Sequence, residues 1–154
     1  IIGVWPSYFR GWNTLIVDID GKGKFKNEEG ARQGLKHTIK KINEFGKNVI
    51  LVGPVPVYDK NVPLSHANSL VQNKKFNKTN YNSQVEFNSI FFDYVNKKKN
   101  DFYFINPLKW MCKPDCITLV DGKSIYFDSN HLNKFGSLYY EKLFALDLEL
   151  SLNK

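Results

Sequence analysis

The segment Ile125-Tyr126-Phe127-Asp128-Ser129-Asn130-His131-Leu132-Asn133-Lys134-Phe135-Gly136 holds the residue types best suited to chemistry. Asp128 and His131 stand three positions apart, just ahead of a helical pattern. In a tight turn that spacing lets the carboxylate reach the imidazole Nδ1–H, fix the tautomer and stabilise the imidazolium. Nε2 is then free to act as a general base. The plain alternative is an Asx-type turn feeding the helix, with His131 on the surface, and a bare Asp-x-x-His arises often by chance.

Cys112 and Cys116 form Cys-x-x-x-Cys with Pro114 between them. The pair suits a disulfide, half of a metal site or two free thiols. Zinc wants four ligands, and only these thiols and three scattered histidines are at hand, so no metal is expected. A thioredoxin-type pair has two intervening residues, not three. A small-loop disulfide fits best and implies an oxidising compartment. His37 lies off the apolar face of its helix and reads as exposed. His66 lies in the loop after Gly53-Pro54-Val55-Pro56, beyond the carboxyl end of a strand, the edge where open α/β sheets take ligands. It is a candidate for substrate contact.

These residues need elements to position them. Ile1 to Val4 reads as a short buried strand, and Leu15 to Asp20 as another, followed by a polar loop over Gly21 to Lys26. Asn27 caps a helix whose face carries Ala31, Leu35, Ile39, Ile42 and Phe45, and Gly46 ends it. Asn48 to Val52 is a buried strand, so strand, helix and strand imply a parallel βαβ unit. Val57 to Tyr81 reads as a long, polar, Pro-interrupted loop of the functional kind. A helix over Asn82 to Val95 bears Phe87, Ile90, Phe91, Tyr94 and Val95. A strand over Phe102 to Ile105 follows, then a hairpin over Ile117 to Phe127 around Asp121-Gly122. The last helix begins near Asn133 and presents Phe135, Leu138, Tyr139, Leu143 and Leu146. The sum is a single α/β domain.

Length and composition agree with one domain: 154 residues, 42% hydrophobic, 24% charged. No run approaches the roughly 18 apolar residues of a membrane span, and no stretch reads as a signal peptide. The chain opens on Ile1 and reads as a processed product or a piece of something longer. Its formal net charge is +7, yet the basic residues include only two arginines, Arg10 and Arg32. Attraction to an anionic partner is one reading. Scattered lysines without the bidentate arginine fork favour a solvated surface, and no nucleic-acid partner is expected.

The segment around Asp128 and His131 resembles the last block of the SGNH (GDSL-like) hydrolase superfamily, where Asp-x-x-His-Leu precedes the final helix. The subgroup attached to membrane-bound acyltransferase-3 proteins, which O-acetylate bacterial surface polysaccharides, is the nearer match. It shows a strand ending in Gly-Pro-x-Pro, here Gly53, Pro54 and Pro56. It then shows a Pro and two cysteines, here Pro107, Cys112 and Cys116, before the aromatic-rich run Tyr126 to Leu132 with Gly136 beyond. Gly3-Val4-Trp5 is similar to the subgroup's oxyanion block, with Trp5 in place of the usual Asn and Gly3 as a backbone donor. The resemblance spans residues 1 to about 145.

It implies a flavodoxin-like three-layer fold, a parallel sheet between helices, and acyl-ester chemistry without a cofactor. His131 is the implied base and Asp128 its orienter. The implied acceptor is a polysaccharide or lipid-linked glycan, and a membrane acyltransferase region of the parent protein supplies the acyl group. The implied location is the periplasm or cell exterior, which agrees with a Cys112–Cys116 disulfide. One feature departs: the family's nucleophile lies in a Gly-Asp-Ser block, and none occurs here. Gly122-Lys123-Ser124 reads as a turn, not a nucleophile elbow. The nucleophile is therefore expected upstream, and this chain alone is expected to be inactive. The rival readings are a non-catalytic glycan-binding scaffold and, less favoured, a basic nucleic-acid-binding domain.

Overall fold

The computed structural model describes residues 1–3, 16–18, 24–73 and 76–152. The chain is α/β and forms two compact units, Ile1–Pro54 with Val85–Ile105, and Val55–Gln84 with Asn106–Lys154. The first unit holds a three-stranded parallel sheet of β1 (Ile2–Gly3), β4 (Ile50–Val52) and β5 (Tyr103–Ile105), with β4 in the middle. Ile2 pairs with Leu51, and Leu51 with Phe104. β4 is buried because it reads Ile-Leu-Val without alternation, the pattern of a strand covered on both faces.

Between β1 and β4 lies an antiparallel pair, β2 (Ile16–Asp18) and β3 (Lys24–Lys26). The expected loop over Gly21 to Lys26 is therefore a strand in its last three residues. Two lysines around one Phe hid it, since pairing comes from the backbone and not from the pattern. α1 (Asn27–Glu44) carries Glu28 and Glu29 in its first turn and Lys41 in its last, each sign complementing the helix dipole. Ala31 and Ile39 are buried, whereas Phe45 is exposed, contrary to expectation. Gly46 ends the helix at φ +67, its N–H on the Asn43 carbonyl.

The helix expected over Asn82 to Val95 is two helices, α3 (Tyr81–Phe87) and α4 (Ser89–Lys97). Asn88 interrupts them at φ −110, ψ 24. The apolar period runs on through Asn88, so the pattern concealed the break. Phe91, Tyr94 and Val95 are buried as expected, with Phe92 beside them. Phe91, Phe92 and Phe104 meet edge to face, at centroid distances of 5.6 to 6.2 Å.

In the second unit, the supposed loop over Val57 to Tyr81 contains α2 (Val62–Gln72). Asn61 caps it through a bond from the Leu64 N–H, and Pro63 sits in the first turn, where its missing donor costs nothing. The proline that suggested a loop is a helix-start signal. A short α5 (Leu108–Met111) follows Asn106-Pro107. β6 (Leu119–Val120) and β7 (Lys123–Ser124) make the expected hairpin, with Asp121 at φ 49 and Gly122 at φ 74, as a two-residue I′ turn requires.

α6 (Lys134–Leu152) closes the chain, rotated from expectation. Phe135, Leu138, Tyr139, Leu143 and Leu146 are all exposed, while Gly136 and Tyr140 are buried. The cause is Gly136, where any Cβ would overlap the Ile125 carbonyl. The absent side chain lets the helix lie on that backbone and turns the neighbouring stripe inward. Among the described residues no helix is long and apolar enough to cross a membrane.

Candidate active site

The turn bearing Asp128 and His131 is built from the backbone outward. Tyr126 pairs with Leu132 in an antiparallel bridge. On one side of it the Phe127 N–H donates to the His131 carbonyl at 2.8 Å, and on the other the Asn133 N–H donates to Ile125 at 3.0 Å. Residues 128 to 130 therefore form a three-residue loop. Within it the Asp128 Oδ1 accepts from the backbone N–H of Asn130 at 2.9 Å and of His131 at 2.8 Å. These bonds are the Asx turn weighed as the plain alternative. Oδ2 remains and meets His131 Nδ1 at 2.7 Å. One carboxylate thus does both jobs.

Two facts set the state of the pair. A carboxylate only accepts, so Nδ1 carries a proton, and in the neutral imidazole the lone pair then sits on Nε2. Among the described residues Nε2 makes no hydrogen bond, and the His131 side chain is 63% exposed. Burial pushes the Asp128 carboxyl up, but the Asn130 N–H, the His131 ring and the His131 N–H together outweigh it. The net effect lowers Asp128 below its ordinary value and keeps it ionised.

The turn is held from three sides. The Tyr58 N–H donates to the Ser129 carbonyl at 2.9 Å and the Val62 N–H to the Asp128 carbonyl at 3.1 Å. That segment is itself clamped by Gln84, whose amide both accepts from Val57 N–H at 2.9 Å and donates to Val57 O at 2.8 Å. Asn133 is the second support. Its Oδ1 accepts from the Gly136 N–H at 2.8 Å as the α6 cap, and its Nδ2 donates to Ser124 O at 2.8 Å. The third is the Tyr126 ring, fully buried and edge-on to Tyr58 at 5.3 Å. Burial raises the Tyr126 and Tyr58 hydroxyls well above their ordinary values, so both are neutral anchors. Sequence reasoning missed Asn133 and Gln84 as supports. For Asn133 the signal was present, an Asn directly ahead of an apolar helical pattern.

The other candidates are spread more widely. Cys112 and Cys116 are joined by a disulfide around Lys113-Pro114-Asp115, and Cys116 N–H bonds Thr79 O at 2.7 Å. His66 lies on α2, its Nε2 2.9 Å from the Thr118 hydroxyl and its ring stacked on Phe76 at 4.0 Å. Ser124 ends β7 in the hairpin, its hydroxyl engaged with Tyr126 O at 3.1 Å. Gly3 lies in β1, paired with Val52, in the first unit. Trp5 lies outside the described residues. No group of three metal-ligating side chains occurs among the described residues.

A family model described as SGNH domain (fused to AT3 domains) matches residues 1–146, in agreement with the motif resemblance. Among solved structures the chain is similar to the periplasmic domain of a lipopolysaccharide acetyltransferase of Salmonella ser. Paratyphi A. The TM-score is 0.59 at 28% identity, covering 77% of this chain and 49% of that one. The chain therefore spans about half the length of that solved structure. Among curated proteins none matches.

Proposed function

The chain belongs to the family of SGNH domains fused to AT3 domains, and from that premise we propose that it is the His–Asp half of a serine acyltransferase. The observation that carries this reading is the 2.7 Å contact of Asp128 Oδ2 with His131 Nδ1, on an exposed side chain whose Nε2 makes no hydrogen bond among the described residues. In the proposed reaction a serine outside this chain gives its proton to Nε2 and attacks an acyl carbonyl. Asp128 holds the ring in the reactive tautomer and stabilises the imidazolium. Nε2 then returns the proton to the leaving group, and the same cycle passes the acyl group to a hydroxyl. Gly3, which ends β1, and Trp5 are proposed as the oxyanion block on the motif resemblance alone.

The similarity to a lipopolysaccharide acetyltransferase domain supports an acetyl group as cargo and a surface polysaccharide or lipid-linked glycan as acceptor, on the periplasmic side. The fusion described for the family supports a membrane acyltransferase region as donor. Water as acceptor would make the same site an esterase.

The test is acetyl-ester hydrolysis and glycan acetylation by the complete protein that carries this chain, and by residues 1–154 alone. Activity is expected only in the complete protein and only with His131 intact. A fully active His131→Ala variant would remove the reading in favour of a non-catalytic glycan-binding scaffold.

A further inference from the structure

Phe127 stands out in a turn otherwise fully accounted for. Folding gains nothing from it, since the ring is 73% exposed while its neighbour Tyr126 is 1% exposed. Its direction follows from the register. Phe127 and His131 are the next opposed pair beyond the Tyr126–Leu132 bridge, closed by the Phe127 N–H to His131 O bond. Opposed residues of an antiparallel pair share a face, with Cβ atoms about 5 Å apart. Successive residues alternate, so the Tyr126 ring goes inward and the Phe127 ring outward. By this register Phe127 and His131 both fall on the face of the turn opposite the buried Tyr126 ring.

We propose that Phe127 is the acceptor platform of this site, stacking under the apolar C–H face of a pyranose ring whose hydroxyl is aimed at His131 Nε2. This inference rests on the acyl-transfer reading and adds the group that seats the acceptor. The chemistry matches on both sides. A sugar ring presents a flat hydrocarbon face and a rim of hydroxyls, and an exposed aromatic ring beside a hydrogen-bond acceptor complements both. In the transfer half-reaction the hydroxyl proton passes to Nε2 while its oxygen attacks the acyl carbon. The new ester bond forms, the acyl–serine bond breaks, and Nε2 returns the proton to the serine oxygen.

The experiment compares Phe127→Ala, Phe127→Leu and Phe127→Trp in the complete protein. Each is assayed for acetyl transfer to a saccharide acceptor and for hydrolysis of a small acetyl ester. Phe127→Ala is expected to raise KM for the saccharide about tenfold, with kcat little changed and ester hydrolysis within about twofold. Phe127→Trp is expected to keep the parental KM, and Phe127→Leu to behave like Ala. An unchanged saccharide KM in Phe127→Ala would overturn the proposal. So would an equal fall of both activities, which marks a structural ring, or a loss confined to ester hydrolysis, which puts the ring on the acyl side. A Leu variant as good as Trp would also overturn it. His131→Ala run in parallel separates the two levels, because transfer surviving there removes the acyl-transfer reading itself.

Discussion

His131 and His66 lie in the same unit, and their surroundings are opposite in every chemical respect. His131 meets a carboxylate through Nδ1, its side chain is exposed, and among the described residues Nε2 makes no hydrogen bond. His66 spends Nε2 on the Thr118 hydroxyl, a buried residue, and covers a ring face with Phe76. Burial pushes the His66 imidazole below its ordinary value, toward the neutral form. A base needs a fixed tautomer, a nearby negative charge and a free lone pair facing reactants. His131 has the carboxylate on Nδ1 and, among the described residues, no hydrogen bond on Nε2. His66 has a stacked ring and a hydroxyl, which suit packing α2 against the segment at Thr118.

The largest expected contrast is catalytic. In the complete protein His131→Ala is expected to lower ester hydrolysis by about 10⁴-fold or more, and Asp128→Ala by roughly as much. His66→Ala is expected to stay within about threefold under the packing account. Steady-state rates on a small acetyl ester decide it, and a His66 effect as large as that of His131 would erase the distinction. The next contrast is between two glycines. Gly136→Ala drives a methyl into the Ile125 carbonyl and is expected to cost about 3 kcal/mol or more by denaturant unfolding. Gly46→Ala meets no atom within 4 Å and suffers only its positive φ, about 1–2 kcal/mol.

The disulfide should matter less. It closes a loop only four positions long, so a Cys112→Ser/Cys116→Ser variant is expected to lose about 2 kcal/mol. Intact mass should rise by about two units on reduction of the parent. The smallest effects are on pH. The Asp128 carboxyl is lowered in the fold, so its contribution is fully present above its ordinary value of 3.8 and lost as pH falls through the folded value. The His66 imidazole is also lowered, so below its ordinary value of 6.5 the unfolded chain binds the proton first and stability declines. Melting temperatures between pH 7.5 and 5 should show this fall in the parent and not in His66→Phe. Asp128→Asn should flatten the profile only below about pH 4.

The sequence was most legible where local chemistry dictates structure. Asp128-x-x-His131 specified its own turn, because the carboxylate bonds groups two and three residues on. Asp121-Gly122 specified the hairpin through its positive φ angles. What escaped depends on partners distant in sequence. β3 needs β2 to be a strand, and α2 hid behind a proline that also suits a helix start. The inward stripe of α6 is one position from the expected one, and the outward stripe of Phe135, Leu138, Tyr139, Leu143 and Leu146 is the more apolar, so the pattern pointed to the wrong face. Only the Ile125 backbone, eleven residues upstream, chooses between them. Gln84 carried no signal at all, because its role is to mimic a strand partner for Val57.

The most direct measurement is covalent labelling by a serine-directed phosphonate probe, since reaction requires a serine activated by a base. In the complete protein, labelling is expected at a serine outside residues 1–154, reduced by orders of magnitude in His131→Ala and near the parental rate in His66→Ala. Labelling at the parental rate in His131→Ala, or at Ser124 of this chain, would contradict the assignment of His131 as the base of a site completed from outside.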